Sequence, residues 1–125
     1  MMYRSIPHAA DEAFEITFKD LSELFQDLID IIRNAAEFDP EDGKTEEVYD
    51  LSGELEDIVF DVANDLIYRV ERGWVPKDSR IEGRKLRIAF EKARVISMDY
   101  KALTYHMLKM EDLDGMKRIR VVFDT

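Results

Sequence analysis

In the stretch AFEITF, Phe14, Ile16 and Phe18 alternate with Glu15 and Thr17. A period of two with one apolar side predicts a half-buried strand. The period then changes: Leu21, Leu24, Phe25, Leu28, Ile32 and Ala35 recur at three- and four-residue spacing and line one face of a helix. Asp20 stands at the N-cap of that helix, and Glu23 completes a capping-box pattern. Pro40 and Gly43 make FDPEDGKTEE an acidic turn, and EVYDL reads as a short strand. A second helix follows, with Ser52 as its cap and Glu54, Glu56 and Asp57 near its positive end. Leu55, Ile58, Val59, Val62, Leu66 and Val70 form its buried face. Arg69 and Arg72 complement its C-terminus, and Gly73 suits the residue just past its end.

WVPKDSRIEG reads as a loop, after which the pattern turns to strands. KLRIAF buries Leu86, Ile88 and Phe90, while ARVISM and YKALTYHMLKM are rich in strand formers. Asp114-Gly115 signals a hairpin. The last strand turns Ile119, Val121 and Phe123 inward and presents Arg118, Arg120, Val122 and Asp124 on its other face. Two helices followed by consecutive strands predict an α+β fold, mainly antiparallel sheet with two amphipathic helices, in a single domain spanning residues 1–125.

Charge changes the picture by halves. Residues 1–72 hold 6 basic and 20 acidic residues, net −14; residues 73–125 hold 12 and 8, net +4, within a total of −10. Such a field argues against strong direct binding to nucleic acid and suits a basic partner, or simply a solubilising surface. There is no cysteine, so no disulfide or thiolate metal site is possible. No stretch is apolar enough to span a membrane, and a soluble, cytoplasmic protein is expected.

The common catalytic signatures are missing. There is no phosphate-binding glycine loop, no G-x-S-x-G and no H-E-x-x-H, and His8 and His106 alone cannot build a multi-histidine zinc centre. DPEDGKTEE has the charge of a calcium loop without the ligand spacing of an EF-hand. Asp11, in HAAD, reads as a turn aspartate at the entrance to the first strand. Asp124, ending the apolar run RVVFDT beside Thr125, is either a solvated end residue or half of a site. In YKALTYH, strand alternation puts Lys101 with Leu103 and Tyr105, opposite Ala102, Thr104 and His106. A lone histidine such as His106 is usually structural. Asp57, Asp61 and Asp65 recur every fourth residue, which reads as the wet face of the second helix.

Four fragments in order carry a resemblance. KALTYH (Lys101 to His106) resembles the K-A-V-T-Y-H stretch of the archease family, and HAAD is similar to its H-T-A-D start. NDLIY (Asn64 to Tyr68) resembles N-E-L-L-Y, and VVFDT resembles the closing V-V-L-D-I. The resemblance implies a non-catalytic helper of the RtcB-type tRNA-splicing ligase. That ligase joins RNA ends bearing a 2′,3′-cyclic phosphate and a 5′-hydroxyl with GTP and manganese. The helper promotes guanylylation and multiple turnover and broadens nucleotide use. The resemblance also implies a divalent cation on Asp11, Asp124 and Thr125, calcium first, with Mg²⁺ or Mn²⁺ open. Asp65, Lys101 and His106 are then the residues facing the ligase. The chain departs from the pattern in three places. Ala9 replaces a threonine, Asp65 replaces a glutamate, and the segment before Tyr100 is short. Two rival readings remain: a chaperone-like or adaptor module with a structural ion, and a metal-dependent hydrolase at Asp11 and Asp124.

Overall fold

The computed structural model describes residues 3–6 and 11–125. Its elements run β1 (Tyr3–Ile6), β2 (Glu12–Phe18), α1 (Leu21–Asn34), β3 (Ala36–Asp50), α2 (Leu55–Glu71), β4 (Trp74–Glu82), β5 (Lys85–Met98), β6 (Ala102–Leu103), β7 (Lys109–Leu113) and β8 (Met116–Asp124). All strand pairs are antiparallel. One sheet has the order β1-β2-β8, with β6 and β7 placed end to end along the far side of β8; the other has the order β3-β5-β4. Both helices touch strands of both sheets and each other, so their apolar faces join the two sheets into one core. Phe18, Phe25, Leu66, Phe90 and Phe123 are fully buried there. The fold is α+β.

The strand at Ala13–Phe18 and the two helices form where the periodicity places them. Asp20 caps α1, its carboxylate accepting from the Glu23 amide at 3.0 Å. The backbone N–H of Gly73 bonds the Val70 carbonyl at the end of α2, with φ +88°. Asp114-Gly115 makes the two-residue turn between β7 and β8, where Leu113 faces Met116.

Four local expectations are corrected. FDPEDGKTEE is strand, the middle of β3, with a break in register between Pro40 and Lys44. β3 lies at the sheet edge, where the missing proline N–H costs no ladder bond and a bulge is tolerated. WVPKDSRIEG is strand as well. It is β4, also an edge, fastened by α1: Gln26 Oε1 accepts from the Ser79 amide and hydroxyl, and Arg33 donates to the Pro76 carbonyl. Ser52 does not cap α2. Its amide and hydroxyl both turn back to Asp50 Oδ1, and Glu54 takes the cap position without a side-chain bond. Val122 lies on the face opposite Val121 but is buried, as is its cross-strand neighbour Ala13.

Candidate functional site at the end of the central strand

β8 has neighbours on both sides, and its last residue, Asp124, is exposed between them. On one side the β2–β8 ladder closes with Glu12 opposite Phe123, so Asp11 and Asp124 are the next residues along their strands. On the other side Ala102 faces Asp124. The Lys101 amide donates to the Asp124 carbonyl at 2.8 Å, and the Thr104 hydroxyl donates to Asp124 Oδ1 at 2.8 Å. Residues from three distant parts of the chain thus meet at one sheet end. Behind them, Tyr100 stacks on Phe123 at 4.4 Å and donates its hydroxyl to Glu12. Burial, with the Glu12 carboxylate next, pushes the Tyr100 phenol well above its ordinary range.

The alternation expected through YKALTYH stops early. β6 is two residues long: Leu103 is buried, while Lys101 lies just before the strand and is exposed. The chain pairs with β8 through Thr104, makes a 3₁₀ turn at Tyr105–Met107, and resumes as β7 opposite Arg120. This turn carries exposed His106 and sends Tyr105 back to α2, where its hydroxyl donates to Asp57 and its ring meets Phe60 edge-on at 5.0 Å. That bond to a carboxylate holds the Tyr105 phenol above its ordinary range.

Asn64 fixes the junction and was missed as a site residue by sequence reasoning. Its Oδ1 accepts from the Leu103 amide at 2.7 Å, tying β6 to α2. The only signal was its place in NDLIY, since an asparagine on a helix face announces no partner.

Asp65 points elsewhere. Its Oδ2 accepts from the Tyr49 hydroxyl at 2.5 Å and from Arg69 Nε at 2.7 Å, while Arg69 also pairs with Glu47 at 2.9 Å. Burial and that carboxylate raise the Tyr49 phenol far above its ordinary range. The Asp57–Asp61–Asp65 stripe is therefore more than a wet face. Its outer members accept from Tyr105 and Tyr49, and Asp57 and Asp61 line a groove of about 470 Å³ with Val48, Tyr49, Asp50 and Ile58.

The donors at the end of β8 are oxygens, the ligands hard divalent cations prefer. Among the described residues no three His, Asp or Glu side chains come together to hold a metal. Asp11 and Asp124 fit such an ion only if Thr125, the exposed neighbour of Asp124, adds oxygen. Of the HAAD fragment only Asp11 is described; His8, Ala9 and Ala10 lie outside the described residues. No described helix is long and apolar enough to cross a membrane.

Comparison with known proteins agrees with the fold. The chain is 36% identical over 125 residues to a Thermotoga maritima protein named "Protein archease", covering 99% of this chain and all of the relative. It is similar to the crystal structure of a T. maritima archease described as a possible chaperone, with TM-score 0.82 and 35% identity over 100% of this chain and 98% of that one. A Methanobacterium thermoautotrophicum protein solved in solution shares the fold, with TM-score 0.66 and 16% identity over 98% of each chain. The Archease protein family matches residues 3–125, and the chain belongs to that family.

Proposed function

We propose that this archease is a non-catalytic activator of an RtcB-type tRNA-splicing ligase in the cytoplasm, promoting guanylylation and multiple turnover and broadening nucleotide use. The observation that carries the reading is the meeting of the Lys101–Thr104 segment with Asp124, two of the four family-like fragments. Such a cluster supplies charge and hydrogen bonds to a partner without the general acid–base pair and nucleophile that catalysis of its own would need. Asp11, Asp124 and Thr125 would hold a divalent cation, calcium first. When bound, that cation offsets the mutual repulsion of the carboxylates and presents a positive charge at the sheet end. Lys101 and His106, both exposed beside this end, face the ligase. The acidic first half suits docking near a basic RNA- and nucleotide-binding cleft. Asp65 belongs to the same reading through α2, with its present bonds to Tyr49 and Arg69 exchanged or shared on docking.

The test is RNA ligation by the RtcB-type ligase of the same source with GTP and manganese, counted as product per ligase. The wild-type protein is expected to raise turnover, and Asp124→Ala and Lys101→Ala to lose most of that rise while keeping the wild-type circular dichroism. Calcium is expected to raise the melting temperature of the wild type and not of Asp124→Ala. Basal turnover in the presence of folded wild-type protein refutes the reading.

A second reading follows from the description of the T. maritima relative as a possible chaperone. A general adaptor suppresses aggregation of unrelated unfolded proteins without dependence on Lys101, and an aggregation assay with Lys101→Ala separates the two.

A further inference from the structure

The face of the first sheet that carries Asp124 also carries, midway along β8, two facing cations that form no ion pair of their own among the described residues. Four residues before Asp124, on the same side of β8, Arg120 stands directly opposite Lys109 of β7 and Glu15 of β2, and Glu15 in turn faces Arg4 of β1. The row across the four strands is therefore Arg4, Glu15, Arg120, Lys109: three cations and one carboxylate.

That carboxylate is committed. Arg4 donates to Glu15 Oε1 through two nitrogens at 2.6 and 2.9 Å, and Arg118 Nε is 3.9 Å from Oε2. Arg118 also pairs with Glu111, its Nη2 donating to Oε2 at 3.0 Å. Buried Nε atoms without a hydrogen-bond partner occur at Arg87, Arg118 and Arg120 alike. What sets Arg120 and Lys109 apart is that neither has a side-chain hydrogen bond or ion pair among the described residues, although Arg120 and the Glu15 carboxylate still attract each other across the ladder.

Like charges directly opposite in a sheet are destabilising. The second sheet shows how this chain neutralises such a pair when nothing else is meant to. Arg80 and Arg87 also face each other, but Glu82 reaches both, at 2.7 and 3.5 Å, and Glu46 reaches both, at 3.9 and 3.2 Å. Arg120 and Lys109 share no such acid among the described residues: Glu15, across from Arg120, is already held by Arg4. An exposed ammonium beside a guanidinium with donors to spare matches a phosphate, which accepts from several N–H groups at once.

We infer that Arg120 and Lys109 form a seat for a phosphate of the RNA backbone. This inference rests on the proposed role beside an RNA ligase. It adds that the protein touches the RNA itself, through the sheet face, about 14 Å along β8 from Asp124. The net charge of −10 keeps the affinity for free RNA low, so the seat acts on RNA already held by the ligase.

The experiment compares wild type with the double variant Arg120→Gln/Lys109→Gln in the ligation assay, over a series of RNA concentrations and at two salt concentrations. Loss of two phosphate-directed cations is expected to raise the KM for RNA about three- to tenfold, with kcat at saturating RNA unchanged and a weaker salt dependence. Because the variant relieves repulsion, its melting temperature should equal or exceed that of wild type. An unchanged KM overturns the seat, as does a fall in kcat alone, which would assign the pair to an acidic protein surface. Stimulation by wild type together with an unchanged KM leaves the activator role standing and removes only the seat. If wild type gives no stimulation, binding of a fluorescent 12-nucleotide RNA at low salt decides. Binding that is lost in the double variant keeps the seat without the ligase, and no binding removes both. A competition arm with GTP separates a backbone seat from a nucleotide seat: RNA binding displaced by stoichiometric GTP overturns the backbone assignment.

Discussion

Replacing Asn64 by alanine removes the side-chain oxygen that receives the Leu103 amide at 2.7 Å. Two outcomes compete. If β6 stays in place, a partly buried N–H is left without a partner, which costs about 1–3 kcal/mol. If β6 peels away to let that amide reach water, the Leu103 side chain, 2% exposed in the native fold, leaves the core at a cost of about 2 kcal/mol. The two routes are close in magnitude, so the expected loss is about 2 kcal/mol by either. For a chain of this length that corresponds to a fall of roughly 8 °C in Tm. Asn64→Asp keeps the acceptor and adds a negative charge three residues from Asp61, a repulsion of only about 0.2–0.5 kcal/mol, so it should recover most of the stability. Urea unfolding gives the energies, and amide exchange at Leu103 tells which route operates. An alanine variant within about 0.5 kcal/mol of wild type with an unchanged Leu103 exchange rate refutes the reasoning. So does an aspartate variant as unstable as alanine. Because the same tether holds the Lys101–Thr104 segment against Asp124, the alanine variant should also weaken any stimulation of the ligase.

Three further outcomes are expected. Gly73 has φ +88° and a Cβ built there would lie 3.0 Å from the Ala93 carbonyl, so Gly73→Ala should cost more than about 1 kcal/mol in urea unfolding; an unchanged midpoint contradicts this. Tyr49 and Tyr100 have folded-state pKa values raised first by burial and then by their carboxylate partners. Their contribution is complete below the ordinary tyrosine pKa of about 10 and is lost as pH rises above it, because only the unfolded chain ionises there. Phenolate absorbance should show both rings titrating with alkaline unfolding, and titration together with the exposed tyrosines in the folded state argues otherwise. Tyr49→Phe and Asp65→Asn loosen the same network, each by about 1 kcal/mol, and non-additively. If Asp65 acts on the ligase, only the second variant should reduce stimulation at matched stability; an equal reduction by Tyr49→Phe makes Asp65 structural.

What could be read along the chain were features set by neighbours in sequence. The helix α1 announces itself by its apolar spacing and its Asp20 cap, and the β7–β8 hairpin by Asp114-Gly115. The α+β class followed from those periods, and the family resemblance from fragments in order. The errors share one cause. Pro40 and Gly43 are breakers in an isolated peptide, yet β3 runs through them because an edge position forgives a missing donor and an extra residue. Trp74 to Glu82 looks like a loop, yet α1 supplies Gln26 and Arg33 to pin it as β4, from residues 43 to 53 positions away.

The candidate site divides along the same line. The sequence by itself named the candidates, Asp11, Lys101, Asp124 and Thr125, because a resemblance is local text and oxygen ligands are a property of residue type. It also determined the apolar faces, because periodicity is a one-dimensional quantity. Only the tertiary structure decided which of those residues meet. The register of β8 between β2 and β6 brings Asp11 and Lys101 to Asp124, while the orientation of α2 turns Asp65 toward Tyr49 and Arg69 and leaves Asn64 to hold β6. The surplus charge at Arg120 and Lys109 likewise exists only in the folded sheet, since repulsion depends on distance and these two residues become neighbours only when β7 pairs with β8.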